Sequence, residues 1–369
     1  MEAIKNLFLL FLSTCSVAVS AQSDYVVSDY PFGITLPESE IEIMTSYVAM
    51  NDTVDIFNFK SSRSDDIDSS FQSASLGDYE GIHLAANYGL FSDWLLSGEY
   101  NFRKLNITFG NYLIDNLEFS VTKNFKLSQK NFVDYCFVNT GIKINYAADY
   151  NASSMNELNY FAKKIDPNVS VYTEGGQLYF TDGTLTYKPS MVENGRLKDP
   201  LTVSIVDSSD TTIYIRGGIG RQFKYIHTAL FAEYGSTNIN GKIDNNLDEY
   251  GLDNRINRID ELSQSFDRTE SYLKAGINIY HKSDLGICTN LSYYYLSIGR
   301  GRDLDYIDYN HVIDADLSIW IYKGIALNIG AEYFNRQFAG VVPFLYNRYT
   351  QTSFDHDYGI VDIGLVIKL

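Results

Sequence analysis

From Ile41 to the C-terminus, apolar and polar residues alternate singly over stretch after stretch, and only polar connections interrupt the alternation. The plainest run sets Ile307, Tyr309, His311, Ile313, Ala315, Leu317, Ile319 and Ile321 on one face against Asp308, Asn310, Asp314, Asp316 and Ser318 on the other. A period of two belongs to a β-strand with unlike faces and not to a helix. The last stretch repeats it, with Val361, Ile363, Leu365, Ile367 and Leu369 on one side and Tyr358, Asp362, Gly364 and Lys368 on the other. The same reading predicts strands near 41–49, 82–90, 94–102, 113–122, 138–146, 213–222, 226–234, 272–279, 287–295, 307–321, 325–333 and 358–369, about twelve in all. Asp115 breaks the pattern by falling on an apolar face.

The connections alternate in length. Short ones stand at 91–93, 126–130, 223–225, 282–285 and 322–324; long ones at 51–76, 147–209, 239–266 and 338–353, with two brief links near 105–110 and 300–304. Part of the longest, around Asp182-Gly183, reads as a hairpin. A soluble sandwich has no reason to keep its tight turns on one rim, whereas a membrane barrel has. Each strand also reaches the roughly 9–11 tilted residues that cross a bilayer. In these respects the chain resembles the transmembrane β-barrels of Gram-negative outer membranes, and is porin-like without matching a particular subfamily. The resemblance implies an all-β, antiparallel barrel with short periplasmic turns and long extracellular loops, in the bacterial outer membrane. It also implies lipid and lipopolysaccharide around the barrel and insertion by the barrel-insertion machinery. Barrels of that family end on an aromatic residue, and this one ends on Leu369 after Lys368.

Composition fits that picture: 30 Tyr and 22 Phe stand against 6 Pro, and tyrosine suits a wall between lipid and water. A net charge of -17 excludes nucleic acid as a general partner and favours cations. Residues 1–21 read as a signal peptide, with Lys5, an apolar run from Leu7 to Leu12, and Val19-Ser20-Ala21 before Gln22. The alternative is lipidation at Cys15. Residues 22–38 then form a periplasmic lead-in and 39–369 the barrel, with the outer loop 147–209. Cys136 and Cys288 match no metal or redox spacing.

The polar faces gather the pore-lining candidates: Glu42, Glu99, Arg103, Glu118, Lys143, Arg216, Glu233, Lys274, Asp308, Asp314, Asp316, Glu332 and Asp362. Carboxylates around a narrow bore would concentrate cations, and Asp308, Asp314 and Asp316 would set selectivity; alternatively, acids and bases pair across the bore and plug it. Small cationic or neutral solutes are the expected cargo, and the alternative is a closed structural or adhesive barrel acting through its outer loops. A hydrolase is the remote alternative. His281-Lys282-Ser283 carries the His-x-Ser of outer-membrane phospholipases but falls at a short turn, and His356 between Asp355 and Asp357, near the outer rim, resembles the acids and histidine of an omptin-like protease, though an exposed polar loop end explains it equally well. Asp244, Asn246 and Asp248 alternate like calcium ligands, yet Glu249 stands where an EF-hand needs glycine. No catalytic residue, metal site or cofactor is assigned.

Overall fold

The computed structural model describes the barrel strands, their short turns, residues 32–40 and pieces of the longer connections; residues 1–31, 51–78, 153–170, 246–266 and 347–357 lie outside the described residues, together with shorter gaps. The expected signal peptide, the site at Cys15 and the His356 cluster therefore fall outside them.

Twelve long strands form the wall: β1 (Ile41–Met50), β2 (Tyr79–Phe91), β3 (Trp94–Ile107), β4 (Gly110–Lys126), β5 (Tyr135–Ala147), β6 (Val203–Gln222), β7 (Ile226–Asn245), β8 (Arg268–Lys282), β9 (Ile287–Gly299), β10 (Tyr309–Tyr322), β11 (Ile325–Phe334) and β12 (Tyr358–Lys368). Each pairs antiparallel with its sequence neighbour, and β1 pairs with β12 from Glu42↔Lys368 to Met50↔Ile360, which closes the cylinder. Ile41 and Leu369 complete the seam by exchanging backbone hydrogen bonds of 3.1 and 2.8 Å. Closure removes the free sheet edges of the cylinder within the membrane.

Alternation decides which face is which. On β9 the inward positions Cys288, Asn290, Ser292, Leu296 and Ile298 are buried while Thr289, Leu291, Tyr293 and Tyr295 are exposed. The outer face is a band of exposed apolar side chains, including Ile213 at 63%, Leu230 at 56% and Ile363 at 55%. Exposed aromatics fringe it at both ends: Phe91, Trp94, Phe125 and Tyr322 by the short turns, Tyr47, Tyr146, Tyr234 and Tyr295 toward the long loops. Asp115 is not bare on this face, since Tyr100 on the neighbouring strand donates its hydroxyl to the carboxylate.

Three differences from the sequence reading concern boundaries. β6 begins at Val203, inside the expected loop 147–209, and β7 runs to Asn245, past the expected start of the acidic loop at 239. At roughly 3.3 Å per residue these 20-residue strands extend about 66 Å, more than a bilayer requires, so the hairpin stands above the rim. β10 begins at Tyr309, leaving Ile307 and Asp308 ahead of it, with Ile307 buried in the cap described below. Of the expected lead-in, residues 32–38 are described and turn into the short-turn end of the barrel, where Phe32 packs on the inner wall.

The short turns have simple causes. Asp93 takes φ of 67° and Gly324 φ of 75° at the turn corners, the left-handed conformations that tight hairpins need. Asp93 is held by Lys126 at 2.7 Å, and this pairing keeps its carboxyl below the usual range.

Candidate functional site: the bore

Because the side-chain period is two, residues opposite one another in register share a face, and the pairing fixes which inward charges meet. Arg216, Glu233 and Lys274 stand side by side on β6, β7 and β8. Glu233 is buried between them, 2.6 Å from Arg216 and 3.2 Å from Lys274, and accepts a 2.8 Å hydrogen bond from the Tyr272 hydroxyl. Glu118, opposite Lys143 in register, accepts one of 2.6 Å from Tyr214. These groups form a waist across the bore. A buried carboxylate with two cations and a phenol is fully compensated; stripping any partner would leave charge stranded in low dielectric.

Beside the waist runs a ladder of amides. Asn101 donates to Asn116 at 3.0 Å, Asn116 to Asn145 at 2.7 Å and Asn145 to Asp210 at 2.7 Å, each across one strand pair in direct register. On the opposite wall the acids cluster. Asp314 on β10 faces Glu332 on β11, and Asp316 and Asp362 flank Gly330, where an added Cβ would lie 1.8 Å from Asp362 Oδ1 and 3.0 Å from Asp316 Oδ1. Glycine there gives both carboxylates the space over its backbone. Tyr294 reaches Glu332 at 3.3 Å. Glu99 sits 3.6 Å from His83, Arg103 lies inward on β3, and Glu42 is wholly buried 3.5 Å from Lys368 at the short-turn rim.

Of the candidate pore-lining residues, twelve therefore point inward, and Asp308 does not belong with them. It is exposed ahead of β10, where its carbonyl accepts from the Ile298 amide, so the expected trio with Asp314 and Asp316 is a pair on the strand and a third residue outside it. The waist was not legible as a unit, because its members lie on five strands. Tyr214, Tyr272 and Tyr294 went unassigned although their inward parity could have marked them.

Two cavities flank the waist. The larger, about 310 Å³, is lined on one side by Glu99, Glu118, Arg216 and Lys274 and on the other by Asp314 and Glu332, with Ser97, Ser120, Asn139, Asn278 and Asn290 between. The smaller, about 120 Å³, lies toward the long loops among Lys143, Thr212, Glu233, Glu270 and Tyr272. Above it, Glu270 binds Arg268 at 2.7 Å and Arg300 at 3.1 Å; Arg300 stacks 3.8 Å over the Tyr346 ring, and the Ile307 amide donates to the Tyr346 hydroxyl at 3.0 Å. Burial in this cap depresses the Arg300 pKa and raises that of Tyr346.

At the other end the inner wall turns apolar. Met44, Ala85, Ala326 and Val366 cluster with Trp320 on one side, and Tyr135, Phe137, Ala229 and Phe231 on the other. Phe32 enters here, its ring centroid 4.4 Å from that of Phe231 and 6.0 Å from that of Phe137, and the Arg216 guanidinium lies 4.5 Å over it.

The remaining candidates give nothing of this kind. Ser283 of the His-x-Ser run accepts the amides of Leu285 and Ile287, shaping its turn. Cys136 and Cys288 are free thiols. Among the described residues no three His, Cys, Asp or Glu side chains are grouped to hold a metal.

An edgeless cylinder with an apolar, aromatic-fringed outside and a polar, ion-paired inside defines a membrane-spanning β-barrel. No family model matches the sequence, and no curated protein matches it. Among solved structures, the chain is similar to the NanC porin (10% identity, 89% of this chain and 100% of that one, TM-score 0.41). It is also similar to the translocator domain of the autotransporter NalP from Neisseria meningitidis (7%, 89% and 87%, 0.42) and to an outer membrane channel from Pseudomonas putida F1 (6%, 94% and 100%, 0.42). Likeness at these levels fixes no function for the chain.

Proposed function

We propose that this protein is a diffusion channel of the bacterial outer membrane, passing small polar solutes through a charged waist. The observation that carries the reading is the cavity of about 310 Å³ at mid-bore, lined largely by carboxylates, cations, amides and hydroxyls, which leaves room between the charged walls. Acids of β10–β12 (Asp314, Asp316, Glu332, Asp362) form one wall, and Lys143, Arg216 and Lys274 of β5, β6 and β8 belong to the other. Because eight of the twelve inward candidates are acids and four are bases, the bore favours cations over anions. Small cationic or neutral solutes are the expected cargo. Nothing in this reading requires chemistry on the solute.

The test is current through the refolded barrel in a planar bilayer under a salt gradient, with heat-modifiable gel migration as proof of folding. Discrete steps with a cation-selective reversal potential are expected; folded protein that never conducts, with or without the residues ahead of β1, would overturn the channel. A second reading, a closed barrel acting through its long loops, is favoured by the cap over Glu270 and by the pairing of Glu233 on both sides. Removing residues 153–200 separates the two. Loss of surface attachment with unchanged permeability supports the loops, and the opposite result supports the bore.

A further inference from the structure

We infer that the segment ahead of the first strand, Phe32 to Leu36, is a built-in plug that closes the short-turn end of the bore, with Phe32 as its key. The inference rests on the channel reading for its purpose but not for its geometry. Near the short turns the inner wall carries two apolar clusters among polar groups such as Glu42, Asn124 and Asn328, and apolar surface inside a hydrated bore is unfavourable unless something covers it. Phe32 and Leu36 supply that cover: Phe32 packs against the Tyr135, Phe137 and Phe231 cluster, and Leu36 is 2% exposed. Ile34, between them, forms the floor of the larger cavity together with Phe32 and Gly33.

The segment is held specifically and not merely wedged. The Tyr135 hydroxyl donates to the Phe32 carbonyl at 3.1 Å, and the Asn124 side-chain amide donates to the Gly33 carbonyl. At the rim the Ser39 amide donates to the Gly89 carbonyl at 2.8 Å and the Glu40 amide to that of Pro37 at 3.2 Å, so the turn into the bore is fastened before β1 begins. Gly33 has φ of 89°, and a Cβ there would lie 2.1 Å from the Tyr135 ring. Only glycine admits this seating.

Access to the cavity from the short-turn side measures the plug directly. Ser120 lines the cavity, and Ser120→Cys in a Cys15→Ala, Cys136→Ala, Cys288→Ala background gives a single thiol, placed there. With a small water-soluble maleimide, the refolded parent should label slowly. Phe32→Ala removes two ring contacts and a cation–π contact, and Gly33→Val forbids seating by clash and backbone strain; each should label about tenfold faster or more. A chain lacking residues 22–36 should label fastest, with heat-modifiable migration retained in all. Equal rates in the parent and the folded variants would overturn the plug, whatever current the barrel carries. Faster labelling upholds it, and bilayers that stay silent for parent and shortened chain alike would then count against the channel reading alone.

Discussion

At the scale of single residues, two pairings outside the bore make separable predictions. Asp115 projects from the lipid-facing side, where a charge costs about 2–4 kcal/mol at mid-membrane and little near the interface, and the Tyr100 hydroxyl answers it. Tyr100→Phe should therefore lower stability by about 1–2 kcal/mol in urea titrations in bilayers, and Asp115→Asn in the same chain should restore most of the loss. Asp93 gives the pH dependence. Its folded pKa is depressed, chiefly by the hydrogen bond and charge of Lys126, so its contribution is present above the unfolded pKa near 4 and is lost as the pH falls through the folded value. Lys126 is largely exposed, which keeps the pair small, well under 1 kcal/mol. Lys126→Met should lower stability slightly above about pH 4 and leave it unchanged in stronger acid, so that the variant and parent stability curves converge as the pH falls; an equal loss at every pH would contradict the assignment.

At the scale of the strands, β4 to β8 carry the waist, and its weak point is Glu233, which lies between Arg216 and Lys274 and pairs with both. Glu233→Gln should destabilise the barrel by about 3–5 kcal/mol and move the reversal potential toward anions, because two buried cations lose their shared partner. Adding Lys274→Met should recover part of the stability, whereas Asp308→Asn should change neither quantity, since Asp308 lies outside the bore. Strand existence, the in-out sense of most positions and the inward acids were all legible in the sequence, because a period of two reports the face directly. The ends of β6 and β7 were not, because these strands continue beyond the rim, where polar residues face solvent on both sides and the alternation that marks a strand fades. The joining of Glu233 to Arg216 and Lys274 was hidden for another reason. It depends on register between strands, which is set by closure of the whole cylinder and leaves no local trace.

At the scale of the whole molecule, the charged waist and the segment that enters the bore meet at a single contact. Residues ahead of β1 read as a lead-in because Phe32, Ile34 and Leu36 gave no strand of useful length, and nothing nearby in sequence says that their partners are Phe137, Arg216 and Phe231, at least a hundred residues on. Inward Met44, Leu95, Phe137, Phe231, Trp320 and Val366 were the available sign: a bore that is greasy at one end calls for something to cover it. Since the Arg216 guanidinium bonds Glu233 with its edge and covers Phe32 with its face, plug and waist share one side chain and should not respond independently. Phe32→Ala and Arg216→Met each loosen the plug, but once either is made the cation–π contact is already gone. The effects on Ser120→Cys labelling should thus fall short of additivity by about 0.5–1 kcal/mol, a factor of roughly two to five in rate. Strict additivity would mean that the ring and the guanidinium are neighbours without coupling, and that the plug is held by Phe137, Phe231 and the Tyr135 and Asn124 hydrogen bonds alone.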